Sequence, residues 1–271
     1  MNRMKRIIGT FLVLGALALA LAPAAFGAGK RDTAGTLTVG ATPVPHAELL
    51  ALVADDLKQQ GITLKVIEFA DYVQPNSALI EGELDANFFQ HLPYLEANAE
   101  WASKLSAAFG VHIEPFGLYS NKYTDVSQIP NGAAIAIPND PTNGGRALLL
   151  LQANGLIKLR ANSGLSATQL DIESNPKGLV FRELEAAQLP RALQDVDAAL
   201  INGNYALGAG LNPVSDSLLL EGADSPYVNI VAVQKGKEND AKIVALSKAL
   251  QSQKVKNFIR DKYDGGVVAI F

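Results

Sequence analysis

The sequence predicts an α/β protein of two lobes with a cleft between them. Three observations carry that prediction. Strand-like and helix-like stretches alternate through the first ninety residues; the alternation restarts beyond residue 130; and a last strand and long amphipathic helix close the chain with no third lobe after them. The last segment therefore packs back on the first lobe, so the chain crosses between lobes twice, which makes a hinge. With 271 residues, 48% hydrophobic and 18% charged, the chain is long and apolar enough for one large domain or two smaller ones with packed cores.

Each element has its own signal. "TLTVGAT" (36–42) alternates like a strand. "HAELLALVADDLKQQG" puts apolar residues at 49, 50, 53 and 57, a helical stripe stopped by Gly61. "ITLKVIEF" (62–69) is a strand, "PNSALIEG" a short helix opened by proline, and "LDANFF" (84–89) a third strand. In the second half, strands are predicted at 132–140, 178–184 and 196–202, with helices at 144–155 and over "LPRALQD". A short helix leads into "ELDANFFQH" in one half and "DVDAALINGNY" in the other, so the lobes share a plan. "YVNIVAVQKG" (227–236) is a strand, and 240–263 a long helix with a break expected in its middle, ending at Gly265–Gly266. The crossings fall at "HIEPFGLYS" (112–120) and "GADSPYVN" (222–229), giving a first lobe of 36–114 plus 227–271 and a second of 115–226.

Residues 1–27 read as a signal peptide: a basic start, an apolar run, and small residues for cleavage after Gly27. The run is also long enough to span a bilayer, so an uncleaved anchor is the alternative. Cleavage would remove Arg3, Lys5 and Arg6, taking the formal charge from −4 to −7. That balance argues against nucleic acid and anionic membranes as partners. The chain has no cysteine, which rules out disulfides, thiolate chemistry and lipid attachment at the cleavage point. The expected location is the periplasm or cell exterior.

In open α/β sheets, ligands sit beyond the carboxyl ends of the strands. In the first lobe these ends are "ATPVPH" (41–46), "EFADY" (68–72) and "NFFQH" (87–91), which supply aromatics and histidines. In the second they are "IPNDPTNGGR" (137–146), "ELEAAQ" (183–188) and "INGNY" (201–205), which supply amides, glycines and an arginine. Arg146, in the first turn of its predicted helix, is a candidate anion clamp; the alternatives are a solvated side chain or a pair with Asp140. Asn202 and Asn204 could accept from an ammonium group or cap their turn. Asn229 lies near a crossing. Phe69, Tyr72, Phe88, Phe89, His91 and Tyr94 are candidates for a pocket wall. Alternation puts Phe88 on the core face, and Phe89 with His91 towards the cleft.

No metal or catalytic site is expected. The histidines His46, His91 and His112 lack metal-ligand spacing, and a three-histidine site is disfavoured. There is no nucleophile elbow, no P-loop lysine and no dinucleotide fingerprint. Glu81, Glu83 and Asp85 are expected to face solvent.

The stretches "TVGATPVPHAELL", "EFADYVQPNSALIEGELDANFFQHLPYLE", "AIPNDPTNGGRALLLLQANGLIKL", "ELEAAQLPRAL" and "DAALINGNYA" resemble the NlpA lipoprotein family, the methionine-binding proteins of bacterial ABC importers. The resemblance covers nearly all of residues 36–271. It implies a type II periplasmic binding protein fold. It further implies that Arg146 holds an amino acid carboxylate, that Asn202 and Asn229 contact its main-chain polar groups, the amine especially, and that Phe69, Tyr72, Phe89, His91 and Tyr94 surround a thioether. The implied ligand is L-methionine, with D-methionine, a methionine-containing dipeptide or another apolar amino acid as alternatives. The implied partner is a membrane importer of permease and ATPase, served by a monomer without cofactor or catalytic step. One departure stands out: family members commonly carry a lipidated cysteine, and Ala28 stands where one would fall. A periplasmic enzyme and a surface adhesin are the readings from other classes, and no motif favours either.

Overall fold

A computed structural model describes residues 35–222 and 225–271. The expected signal peptide lies outside the described residues. In chain order the elements are β1 (Thr36–Ala41), α1 (Glu48–Lys58), β2 (Thr63–Glu68), α2 (Gln74–Glu81), β3 (Ala86–His91), α3 (Leu92–Ala97), α4 (Ala99–Lys104) and β4 (Leu105–Ile113). Next come β5 (Gly117–Tyr119), β6 (Ala134–Pro138), α5 (Pro141–Ala153), β7 (Lys158–Leu159), β8 (Ile172–Ser174), β9 (Val180–Leu184), α6 (Leu189–Ala192) and β10 (Ala198–Ile201). The chain finishes with α7 (Gly203–Gly208), α8 (Pro213–Asp216), β11 (Leu219–Leu220), β12 (Val228–Gln234), α9 (Ala241–Leu250), α10 (Gln253–Tyr263) and β13 (Val268–Ala269).

Two sheets organise the two lobes. The first runs β13-β4-β12-β3-β1-β2, the second β11-β5-β10-β6-β9. As the βαβαβ rhythm requires, β1 pairs in parallel with β2 and with β3. The sheet is nevertheless mixed, because the returning β12 inserts antiparallel between β3 and β4. In the second sheet β6 is parallel to β9 and β10, with β5 antiparallel at the far side. The chain leaves the first sheet after Ile113 and enters the second at Gly117; it leaves the second at Leu220 and rejoins the first at Val228.

Each sheet is covered on both faces. The stripe Leu49, Leu50, Val53 and Leu57 of α1 is fully buried with Leu246 and Val255 of α9 and α10. The opposite face carries α2 to α4, with Leu79, Phe89 and Trp101. In the second lobe Leu148 and Leu151 of α5 pack with Leu118 and Ile135, while Leu189 and Ala206 cover the other face. These burials supply most of the driving force, at about 25 cal/mol per Å² of apolar surface.

Several expectations need correction. The third strand lies two residues later than predicted, so Gln90 and His91 belong to it. Helix α5 begins at Pro141, three residues early, because Asp140 caps it by accepting from Asn143 N–H at 2.9 Å and proline fits the first turn. Arg146 therefore sits in the second turn rather than the first. The long C-terminal helix is broken as expected, where Ser252 caps the start of α10. Asp85 does not simply face solvent: its carboxylate accepts from Thr38 N–H at 2.8 Å, tying β1 to the start of β3.

Candidate functional site

The strand ends of the two sheets face one another across a cavity of about 330 Å³, counting its open mouth. From the first lobe it is lined by Tyr72, Phe89, Gln90, His91, Tyr94 and Asn229; from the second by Asn143, Arg146, Asn202, Gly203 and Asn204, with Glu114 between them on the first crossing segment. Seven of the eight residues singled out as binders meet here. Phe69 does not line it: β2 ends at Glu68, and the Phe69 ring turns back over Gly40, where an added Cβ would come within 2.9 Å of it. Phe88 is fully buried on the other face of β3, as its alternation requires.

The aromatic wall is continuous. Tyr72 lies 5.8 Å from Phe89 and 5.7 Å from Tyr94, ring centre to ring centre, and Tyr94 lies 5.3 Å from Trp101 behind it. A knot of amides backs the wall. Asn76 Nδ2 donates to Gln90 Oε1 at 2.9 Å, and the Asn87 and Gln90 amides both donate to Asn76 Oδ1 at 2.8 Å.

Contacts across the cleft hold the lobes closed. Tyr72 donates its hydroxyl to Asn204 Oδ1, and Tyr205 donates to the Ala70 carbonyl at 3.0 Å. The Tyr72 and Tyr205 rings stack at 4.9 Å. His91 Nδ1 accepts from Tyr94 N–H, which leaves Nε2–H to donate to Asn143 Oδ1 at 3.2 Å. Burial and the neighbouring Arg146 push the His91 imidazole down to about 3, so it is neutral.

Arg146 is 4% exposed. Its guanidinium lies 4.2 Å from the Tyr227 ring centre and 4.9 Å from that of Phe116. Nε donates to Glu221 Oε1 at 2.9 Å, Nη2 donates to Glu221 Oε2, and Nη2 also donates to the Glu114 carbonyl at 2.9 Å. The partner is thus Glu221, not Asp140, whose carboxylate is occupied by Thr142 and Asn143. Among the described residues Nη1 makes no hydrogen bond. A buried fork with one end fixed and the other open suits a carboxylate.

The acceptors lie opposite. Asn202 donates its Nδ2 to Asn143 Oδ1 at 2.7 Å, which turns its own Oδ1 into the cavity wall, where it is buried without a partner. An orphaned buried acceptor costs roughly 1–3 kcal/mol unless a ligand donor reaches it. Asn229 Oδ1 faces His46 Nε2 at 3.2 Å.

Glu114 is not among the sequence candidates. Its Oε1 lies 2.7 Å from His112 Nε2 and 3.3 Å from His46 Nε2. Thr42 Oγ1 lies 2.8 Å from His46 Nδ1 and serves as its donor, so His46 carries its proton on Nε2 and gives it to Asn229 Oδ1, while His112 Nε2 donates to the Glu114 carboxylate. Burial holds His46 down to about 4 and His112 to about 3. Burial pushes the Glu114 carboxyl up, while His46, the Asn204 N–H and Arg146 pull it back. His46, His112 and Glu114 are also a set of metal-ligand type, their ligand atoms within 4.8 Å of one another. His91 stands apart from them, so the three histidines do not form one site.

Two lobes closed on a cavity with a cation, acceptors and an aromatic wall define a ligand-capturing protein of the periplasmic binding protein fold. Known proteins agree. The family model for the NlpA lipoprotein matches residues 37–271. The methionine-binding lipoprotein MetQ of Bacillus subtilis is 42% identical over 269 residues, 96% of this chain and 98% of that protein. The solved structure of a nutrient binding protein from Burkholderia cenocepacia bound to methionine matches with a TM-score of 0.84 and 48% identity, covering 87% of this chain and all of that one. That of an ABC transporter, periplasmic substrate-binding protein from Coxiella burnetii matches with a TM-score of 0.82 and 44% identity, covering 86% of this chain and all of that one. This chain belongs to the NlpA lipoprotein family. No helix among the described residues is long and apolar enough to cross a membrane.

Proposed function

We propose that this protein captures methionine between its lobes and hands it to a membrane ABC importer, as an extracytoplasmic binding protein without a catalytic step. The observation that carries this reading is the pairing of the open Arg146 Nη1 with the orphaned Asn202 Oδ1 beside one aromatic wall. An amino acid presents a carboxylate, an ammonium group and a side chain in that relation, and both charged ends must be paired once buried. The ligand carboxylate is assigned to Arg146, the ammonium to Asn202 with Asn229 nearby, and the side chain to Tyr72, Phe89, His91 and Tyr94. A thioether suits that wall, because sulfur–aromatic contacts contribute about 0.3–1.5 kcal/mol each. Phe69 is withdrawn from the contact set.

The lobes, 36–114 with 227–271 and 115–226, would open about the two crossings to admit the ligand. Export to the periplasm or cell exterior follows from the expected signal peptide, and a chain without cysteine offers no thiol for a lipid anchor.

Calorimetry with L-methionine, D-methionine and methionyl dipeptides tests the reading. The expected result is a dissociation constant in the micromolar range or tighter for L-methionine. Ligand at a hundred times that constant would stabilise the fold by about 2.7 kcal/mol, visible as a raised melting temperature. No heat and no thermal shift with any of the panel would sink the proposal.

A further inference from the structure

We infer that Glu114 is the anionic partner of the ligand's ammonium group, and that it restricts this site to ligands with a free, protonated α-amine. The inference rests on the proposed capture of an amino acid. It goes beyond the asparagines that the family resemblance implies, since it assigns a charge where those supply only dipoles.

Charge counting leads to this residue. The Arg146 guanidinium is already matched by Glu221, so a carboxylate ligand adds a negative charge to a balanced pair. A zwitterion brings its own compensating cation, which needs an anion at the cavity wall. Among the described residues lining the cavity, Glu114 is the one carboxylic acid. It is 5% exposed, so water does little to screen it.

Geometry places it on the correct side. Arg146 Nη2 donates to the Glu114 backbone carbonyl at 2.9 Å, so guanidinium and carboxyl flank one region of the cavity. The two charged groups of an α-amino acid hang from a single carbon and need such closely spaced partners. Gly203 permits the approach: a Cβ there would lie 2.7 Å from Glu114 Cβ and 3.3 Å from Oε2.

The carboxylate is also prepared for a cation. Its Oε1 takes the Nε2–H of the neutral His112 imidazole, with His46 Nε2 3.3 Å away, and an Asn204 N–H reaches the same carboxyl. Neutral donors favour the ionised form without cancelling its charge. An arriving ammonium, with three N–H donors, then finds Glu114 and the unpaired Asn202 Oδ1 together. His46 and His112 act as positioning residues.

A chemical double-mutant cycle tests this. Binding of L-methionine and of its desamino analogue, 4-(methylthio)butanoate, is measured calorimetrically on the full chain and on Glu114→Gln. The natural protein should prefer methionine strongly. Glu114→Gln should weaken methionine by roughly 30-fold or more, as expected for removing one partner of a buried charge pair. The desamino analogue should hold its affinity or gain, because a carboxylate no longer repels it, so the preference collapses. Equal weakening of both ligands, or no change in either, would overturn the inference. If Glu114→Gln does not fold by circular dichroism, Glu114→Asp provides the same comparison. It keeps the charge at greater distance, and an intermediate preference supports the assignment while an unchanged one refutes it. Absence of methionine binding by the natural protein would defeat the capture reading and this inference together; binding with an unaltered ratio in the variants defeats the inference alone.

Discussion

Arg146→Ala abolishes ligand capture in a calorimetric titration while the protein still folds. Three losses combine at this position. The ligand carboxylate loses the open Nη1 donor, the Glu221 carboxylate loses its bidentate partner in a site where it is only 16% exposed, and the Phe116 and Tyr227 faces lose the cation stacked on them. Truncating one member of a buried, hydrogen-bonded charge pair costs about 2–5 kcal/mol in binding, or roughly 30- to 3,000-fold. The fold loses a similar amount, since a half-buried carboxylate is left uncompensated. Arg146→Lys separates charge from shape. It keeps the cation but cannot hold Glu221 with two donors while presenting a third to the ligand, so capture weakens but survives. Methionine binding by Arg146→Ala within threefold of the natural protein would remove Arg146 from the site.

Acid unfolds this protein earlier and more steeply than its carboxylates alone would dictate. His46, His91 and His112 are held neutral by burial, at about 4, 3 and 3, against 6.5 when exposed. Below 6.5 the unfolded chain takes up protons that the folded chain refuses. Stability supplied by the three imidazoles is therefore full above 6.5 and falls as the pH drops towards 4. Each contributes about 1.4 kcal/mol per pH unit within that window. Burial of the Glu114 carboxyl works in the opposite sense and lessens the slope. The imidazoles together set an upper slope of about 4 kcal/mol per pH unit, and two units of acidification consume much of a typical stability of about 5–15 kcal/mol. Melting temperatures from pH 7 to 4.5, without ligand, check this. A flat profile over that range would mean that the imidazoles are charged in the folded state.

Much of the fold and of the site is legible in the amino-acid sequence. Strand ends can be found from alternation and turn residues, and a cavity between two open sheets forms at strand ends. That is why "NFFQH" and "INGNY", the corresponding ends of β3 and β10, both reach the cavity wall. The same alternation sorts Phe88 from Phe89. Local signals also announce the break between α9 and α10. What the sequence hides depends on contacts between distant residues. Glu114 shows no motif; its meaning comes from His46, Gly203 and Asn229, which only the fold brings near. Glu221 lies 75 residues from Arg146, so the nearer Asp140 is the partner that spacing suggests. β4 reads poorly as a strand, being rich in alanine, serine and glycine, and is held in place by its ladder to β12. Phe69 misleads because a strand's last side chain can be predicted to point to one face only while the strand continues, and β2 stops one residue short of it. The start of α5 is obscured for a different reason: Asp140–Pro141 is a readable cap, but the glycines after it draw the predicted boundary too late.

Trp101 is the chain's single tryptophan, and its ring rests 5.3 Å from Tyr94, whose other side is cavity wall. The molecule thus carries a built-in optical reporter one residue removed from its ligand. Emission from that indole can follow lobe closure in real time, without a label and without competing tryptophan signal. A stopped-flow trace would give the rate at which the pocket fills as well as its equilibrium occupancy.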